Sequence, residues 1–302
     1  MSFRRYWVLL LAPLLPAASG QQLPPVYFNH MSMFMDQATL DDLMASPFLK
    51  TDFSAFSKIT QQRDGGKWSY TGIYLTGRAT YLEFLPGTPK GAPPTKEMSP
   101  LGTVGFGMWI DQRSQLPMIR DKLLQKTYSH PYIEPEKEFH DGHDITWFDA
   151  LVPGFPEEQS VRADAWIMGV YPAYLKQRYP DLKPEQDGTD REKQLARYYS
   201  ANKLFRAITR VTLTVNQAEQ DRLALEFAAY GYVIRNDGAK KIASGPEFEL
   251  EMIPVPADSP RKLVIALKLN RAKQAQEVIK SGNTSELRFQ GDLAVWYFPK
   301  PW

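Results

Sequence analysis

Four histidines, no cysteine and a scatter of carboxylates are the groups here that could hold a metal or move a proton. His30 lies in an apolar run, Val26–Met35, and Glu83 lies in another, Thr80–Pro86. An imidazole and a carboxylate on the first and last strands of one strand–helix–strand–strand unit make a candidate metal or acid–base pair. A second cluster, Glu138-Phe-His140-Asp-Gly-His143-Asp144, holds two more histidines. Histidines three apart beside aspartates can ligate a metal on a turn, and this turn could fold over the first pair; the plainer reading is a solvated polar loop. His130, beside Pro131, carries no signal. Other chemistries lack their residues. There is no cysteine nucleophile, no Gly-x-Ser-x-Gly elbow and no glycine loop that would cradle phosphate.

The elements that must position these residues follow from period and punctuation. Val26–Met35 is too densely apolar for a helix with one wet face and reads as a buried strand. Asp36 caps a helix carrying Leu40, Leu43 and Met44 at helical spacing, and Pro47 ends it. Strands are expected over 56–62, 68–75 and 79–85, with turns at Asp64-Gly65-Gly66 and Thr76-Gly77-Arg78. Residues 88–100 read as a linker. A second unit starts with a strand at Gly102–Ile110, then a helix capped by Asp111 to about Lys126, an irregular polar stretch over 127–144, and strands at 145–152 and 163–170. A charged, proline-containing segment over 176–192 and a helix over 191–205 precede a third unit. That unit has a strand at 207–215, a helix capped by Asn216, and strands at 232–234 and 248–255. A fourth runs from a strand at 263–269 through a helix at Asn270–Ile279 to two further strands.

Composition bounds the class. At 302 residues the chain can build one large domain or two ordinary ones. Met1–Arg5 is basic, Tyr6–Pro16 is a short apolar run, and Ala17-Ala-Ser-Gly20 offers small residues for cleavage, so residues 1–20 read as a signal peptide. Without Arg4 and Arg5 the 34 remaining basic residues match the 34 acidic ones. No basic field is left to steer nucleic acid or an anionic membrane. The expectation is a secreted or periplasmic protein, off the membrane after signal cleavage, a monomer or homodimer, stabilised by its core rather than by disulfides.

The four strand-to-cap transitions (Met35-Asp36, Ile110-Asp111, Val215-Asn216, Leu269-Asn270) form a repeat. Leu82-Glu83-Phe84-Leu85-Pro86 and Leu250-Glu251-Met252-Ile253-Pro254 match in detail. On Asn29-His30, Asp36, the run from Trp68 to Glu83 and the opening of the second unit, the chain resembles the glyoxalase-like domains of the vicinal oxygen chelate superfamily. That resemblance implies an α+β fold of repeated βαβββ units forming two cupped mixed sheets with flanking helices. It divides the chain into a first glyoxalase-like domain over 21–175, a linker and helix over 176–202, and a second, degenerate one over 203–302. It also implies a divalent metal held inside a cup by first- and last-strand ligands, although some members bind small molecules without metal.

The residues supply only part of such a site. Six positions before each cap stand His30, Gly105, Arg210 and Val264, and Glu83 is matched by Glu251 but not in the fourth unit. His30 and Glu83, completed by His140 or His143, would hold at most a weakly bound divalent metal; no other cofactor is expected. Arg210 and Glu251 are expected to pair as a salt bridge where a metal would sit in the second domain. Trp68, Trp109, Trp147, Trp166 and Tyr74 could line an apolar pocket, although alternate strand residues must in any case face a core. Two functions follow. One is a small-molecule pocket in the first domain, with proton transfer or metal-assisted chemistry at His30 and Glu83. The alternative is a non-catalytic binding or structural protein with a degenerate site.

Overall fold

The computed structural model describes residues 23–63, 68–88, 99–126, 130–154, 162–181, 183, 187–257, 259–273, 277–281 and 285–298. The expected signal peptide and most of the 88–100 linker lie outside them. Among the described residues, no helix is long and apolar enough to cross a membrane.

The first unit is β1 (Tyr27–Met35), α1 (Gln37–Ala45), a π-helical turn at Leu49–Phe53, β2 (Ala55–Arg63), β3 (Trp68–Thr76) and β4 (Tyr81–Pro86). The second is β5 (Val104–Trp109), α2 (Leu116–Lys126), β6 (Tyr132–His140), β7 (His143–Val152) and β8 (Ala163–Val170). Together they form one mixed sheet in the order β2-β3-β4-β1-β5-β8-β7-β6. In each unit the first strand runs parallel to the last, and β1 joins β5 antiparallel at the centre. The sheet curls until its edge strands, β2 and β6, lie against each other. Short helices α3 (Pro172–Arg178) and α4 (Arg191–Leu195) follow.

The third unit is β9 (Phe205–Val215), α5 (Gln217–Ala229), β10 (Val233–Asp237), β11 (Lys240–Gly245) and β12 (Phe248–Pro254). The fourth is β13 (Leu263–Lys273), β14 (Val278–Ser281) and β15 (Ser285–Phe298). Their sheet has the order β10-β11-β12-β9-β13-β15-β14, again with the first and last strands of the complete unit parallel. The expected α+β class of repeated βαβββ units in two curled mixed sheets is therefore the one observed.

Some expected elements are corrected. Among the described residues no helix follows β13, which continues as strand to Lys273. Asn270 does not cap because its side chain is engaged elsewhere, donating to Lys203 O and accepting from Tyr199 Oη. Asp111 likewise accepts from Trp109 Nε1, and α2 starts five residues later after a 3-10 turn. The stretch expected to be irregular is mostly the β6–β7 hairpin. Its polarity is that of an edge strand with one side in water, where Pro135 removes no ladder bond that the sheet needs. Residues 191–205 hold only the short α4.

The two sheets share one core. Phe28 stacks on Phe248 with ring centroids 3.9 Å apart, Phe53 on Phe205 at 5.5 Å, and Phe84 meets Trp296 at 5.5 Å. Helix α2 packs beside α5, whose Phe227 meets Phe106 of β5 edge-on. Met31 and Met33 of β1, Leu82 and Phe84 of β4, and Ala163 and Ala165 of β8 all face this core. Strand side chains alternate between faces. The intervening residues of β1, β4, β5 and β8 must therefore point into the hollow of the first sheet.

Candidate functional site

Register fixes the floor of that hollow. Across β4, β1, β5 and β8 one row reads Tyr81, His30, Gly107, Trp166, and the next reads Glu83, Ser32, Gly105, Asp164. Tyr74 of β3 lies beside Glu83. The two expected residues, His30 and Glu83, thus stand on neighbouring strands of one face, with side chains almost wholly buried.

The imidazole is tightly held. It stacks on Tyr81, centroids 4.4 Å apart and planes within 9°, and meets Trp166 edge-on at 5.5 Å. Beneath it is Gly107, where a Cβ would come within 2.0 Å of His30 Cε1. At Gly105 a Cβ would strike Ser32 Oγ and the Trp166 ring, both at 2.5 Å. Two glycines on β5 therefore leave room for two rings from the neighbouring strands. A bulge between Phe28 and His30 lets Asn29 turn its side chain to the imidazole, with Nδ1 and Oδ1 3.0 Å apart. Asn29 Oδ1 selects the Nδ1–H tautomer, so Nε2 keeps its lone pair. Asn29 Nδ2 is buried without a hydrogen-bond partner.

Burial lowers the His30 pKa to about 3, so the ring is neutral across the physiological range. Its 3.8 Å approach from Nε2 to Glu83 Oε2 is therefore not an ion pair, and it is too long for a direct hydrogen bond. The other carboxylate oxygen accepts from Tyr74 Oη at 2.6 Å. Burial and the Glu83 charge raise the Tyr74 and Tyr81 phenols above their ordinary value, so both stay protonated. Asp164 is pushed up to about 6, chiefly by burial, against the pull of Arg222 on α5. Tyr81 and Asp164 are half-buried.

A resident divalent metal does not fit this donor set. His30 Nε2 and Glu83 Oε2 are two ligand atoms, whereas protein metal sites of this kind use three or four. The positions of the second unit that would complete the set are Gly105 and Trp166. Among the described residues no three of His, Cys, Asp and Glu come together as a metal group. His140 and His143 are not brought to His30. They face each other across the β6–β7 turn, where Asp141 and Gly142 both take positive φ. His140 contacts Arg178 and Asp141, and His143 Nδ1 lies 3.1 Å from Asp141 O.

In the second sheet the expected Arg210–Glu251 bridge is replaced by two others. Register sets Glu249 beside Arg210 and Thr212 beside Glu251. Arg210 accordingly binds Glu249 at 2.6 Å, and Glu251 binds Lys240 at 2.8 Å. This face is wet and charged rather than a closed cup. The other half of the first hollow is filled. Trp109, Phe148, Met168 and Val170 pack there under Tyr174 and Leu175 of α3, and Trp147 stacks on Tyr174 at 5.7 Å. Of the expected aromatics, Trp109 and Trp147 are thus packing residues, Trp166 and Tyr74 line the hollow, and the Trp68 side chain lies outside the described residues.

Tyr81, Ser32, Asn29 and Asp164 are site residues that the sequence reading missed. Tyr81 and Ser32 stand two positions from Glu83 and His30, and the strand period alone points to them. Asp164 has no such signal, because the pairing of β5 with β8 is needed to place it.

Residues 28–298 match a family model described as "Family of unknown function (DUF5829)", and the chain belongs to that family. No protein of curated function matches it in sequence. Among solved structures, a hypothetical protein from Staphylococcus aureus aligns at 11% identity with a TM-score of 0.48, covering 77% of this chain and 87% of that one. A triple mutant of 4-hydroxymandelate synthase from Streptomyces coelicolor aligns at 12% identity and TM-score 0.39, over 78% of this chain and 65% of that one. A xylose isomerase-like TIM barrel/4-hydroxyphenylpyruvate dioxygenase fusion protein aligns at 8% identity and TM-score 0.38, covering 78% and 33%. Likeness at this level transfers no residue role.

Proposed function

We propose that this member of the DUF5829 family binds a small organic molecule in the hollow of its first sheet, between His30 and Glu83, without a resident metal. One observation carries the reading. A neutral, buried imidazole presents a lone pair 3.8 Å from a carboxylate oxygen, inside walls made by Tyr74, Tyr81 and Trp166. The same numbers favour binding over proton transfer. A general base works best with a pKa near the working pH, and His30 is held at about 3. The reading also takes residues 1–20 to direct export, with the mature chain in the periplasm or secreted.

The test is metal analysis of the purified protein beside a thermal-shift screen of small organic molecules in chelator. The expected result is no stoichiometric divalent metal, a melting point indifferent to chelator, and a stabilising ligand whose effect is lost in Glu83→Gln. One equivalent of metal, absent from both His30→Ala and Glu83→Gln, would overturn the proposal. N-terminal sequencing of the exported protein should begin near Gln21; an intact Met1 would refute the export step.

A further inference from the structure

We propose that Tyr179 and Tyr198 form the gate through which a ligand enters and leaves the His30–Glu83 hollow. The proposal rests on the pocket reading above and adds its route of entry. Residues 187–199 run as a strap across the strand ends beside the His30 row. At the end of β5, Asp187 O accepts from Arg113 N and Thr189 O accepts from Trp109 Nε1. Arg191 then donates to Phe28 O on β1, two residues before His30. Glu192 pairs at 3.0 Å with Arg78, in the turn before β4. Beyond it Leu195 is buried, and Tyr199 Oη donates to Asn270 on β13.

Tyr198 is the loosely held ring of this strap. It is 41% exposed, yet its phenol lies in the field of Tyr81, the ring stacked on the imidazole. Its hydroxyl meets that of Tyr179, just past the end of α3, the helix that fills the other half of the hollow. Strap and plug thus meet over the site through two phenols. Arg197 steadies the closed arrangement: its guanidinium lies 4.2 Å from the centroid of the Tyr179 ring and pairs with Asp181 at 3.0 Å. Exposed contacts of this kind are individually weak, whereas the buried Arg191 and the bonds at 187–189 fix the strap itself. Exposed side chains change rotamer readily, so the two tyrosines can part while the strap stays in place.

The experiment reads access to His30 directly. Diethylpyrocarbonate acylates a neutral imidazole nitrogen, and peptide mass spectrometry separates His30 from the other histidines, with exposed His143 as internal standard. Rates are measured on the mature full-length protein at neutral pH. Tyr198→Phe removes the hydroxyl contact and keeps the ring, and should raise the His30 rate about fivefold. Tyr198→Ala removes the ring and should raise it further; Arg197→Ala should also raise it, with His143 unchanged in all three. Tyr297→Ala, on the open face of the second sheet, should leave the His30 rate at the wild-type value. If His30 reacts at one rate in wild type and in every gate variant, the gate fails and the pocket stands. If Tyr297→Ala raises the rate as much as Tyr198→Ala, access follows general loosening and the gate fails in the same way. If His30 reacts in none of these proteins, the hollow is closed to small molecules and both readings fail.

Discussion

Replacing Gly107 by alanine tests the site at its tightest point. The new Cβ would lie 2.0 Å from His30 Cε1, 2.3 Å from Nδ1 and 2.6 Å from Nε2, so the ring or the strand must move. The imidazole is pinned on the remaining sides by Tyr81, Trp166 and Asn29, so a small tilt does not relieve the clash. Overpacking of this sort costs about 1–3 kcal/mol. Expelling the ring adds the Asn29 hydrogen bond, about 1 kcal/mol, and the ring stacking, about 0.5–1.5 kcal/mol. Gly107→Ala should therefore lose about 2.5–5.5 kcal/mol of stability in urea unfolding. An expelled imidazole regains water, so its titration, followed by NMR, should rise from about 3 toward 6.5. A variant within about 0.5 kcal/mol of wild type, with His30 still silent above pH 5, would refute the packing argument.

Three further outcomes follow from the same packing and burial. The folded His30 pKa lies below its unfolded value, so stability is lost as pH falls below 6.5, by about 2 kcal/mol at pH 5. His30→Gln should remove that loss, and urea titrations of both proteins at pH 7 and pH 5 check it. Glu226 shows the opposite sign: burial raises its carboxyl to about 7 against the pull of Arg222, and Oε2 has no hydrogen-bond partner. Its ionisation in the folded state therefore opposes stability as pH rises through that value, so melting points should favour Glu226→Gln increasingly from pH 5 to pH 8. A pH-independent difference would refute this. Phe248 stacks face to face on Phe28 across the two sheets, and Phe248→Ala should cost about 3–5 kcal/mol in urea unfolding. Unfolding of the variant in two separated steps would show instead that the sheets do not share a cooperative core.

Local signals in the sequence were legible where local chemistry decides the structure. Asp36 does cap α1, accepting from Thr39 N at 2.9 Å, and Asn216 forms a full capping box with Glu219. The same residue type misled at Asn270, because Tyr199 and the Lys203 carbonyl claim its amide from elsewhere in the chain. Tertiary partners of that kind leave no trace at a cap position. The strand–helix–strand–strand reading set His30 and Glu83 on the first and last strands of one unit, and those strands are neighbours in the sheet. It could not say that Glu249 rather than Glu251 stands beside Arg210, since both lie on the same side of β12 and only register separates them. The bulge that turns Asn29 toward the imidazole is likewise a matter of pairing with β5.

Why one of four similar units should carry the site follows from how the hollows are occupied. Packing the sheets back to back commits the buried face of each to a single core, and leaves their other faces to be filled, wetted or used. The second sheet takes water: Arg210, Arg235 and Lys240 are matched by Glu249 and Glu251 along an exposed face, pairs worth little individually but adequate to keep that face hydrated. The β5–β8 half of the first sheet is filled by α3, whose Tyr174 and Leu175 turn what would have been pocket wall into packed interior. Only the end of the hollow floored by His30, Glu83, Gly105 and Gly107 combines buried polar groups, aromatic neighbours and glycines that clear space for rings. A buried polar group is tolerated where something hydrogen-bonds to it. Asn29 and Tyr74 each hydrogen-bond one member of the His30–Glu83 pair, whose facing atoms Nε2 and Oε2 stand 3.8 Å apart.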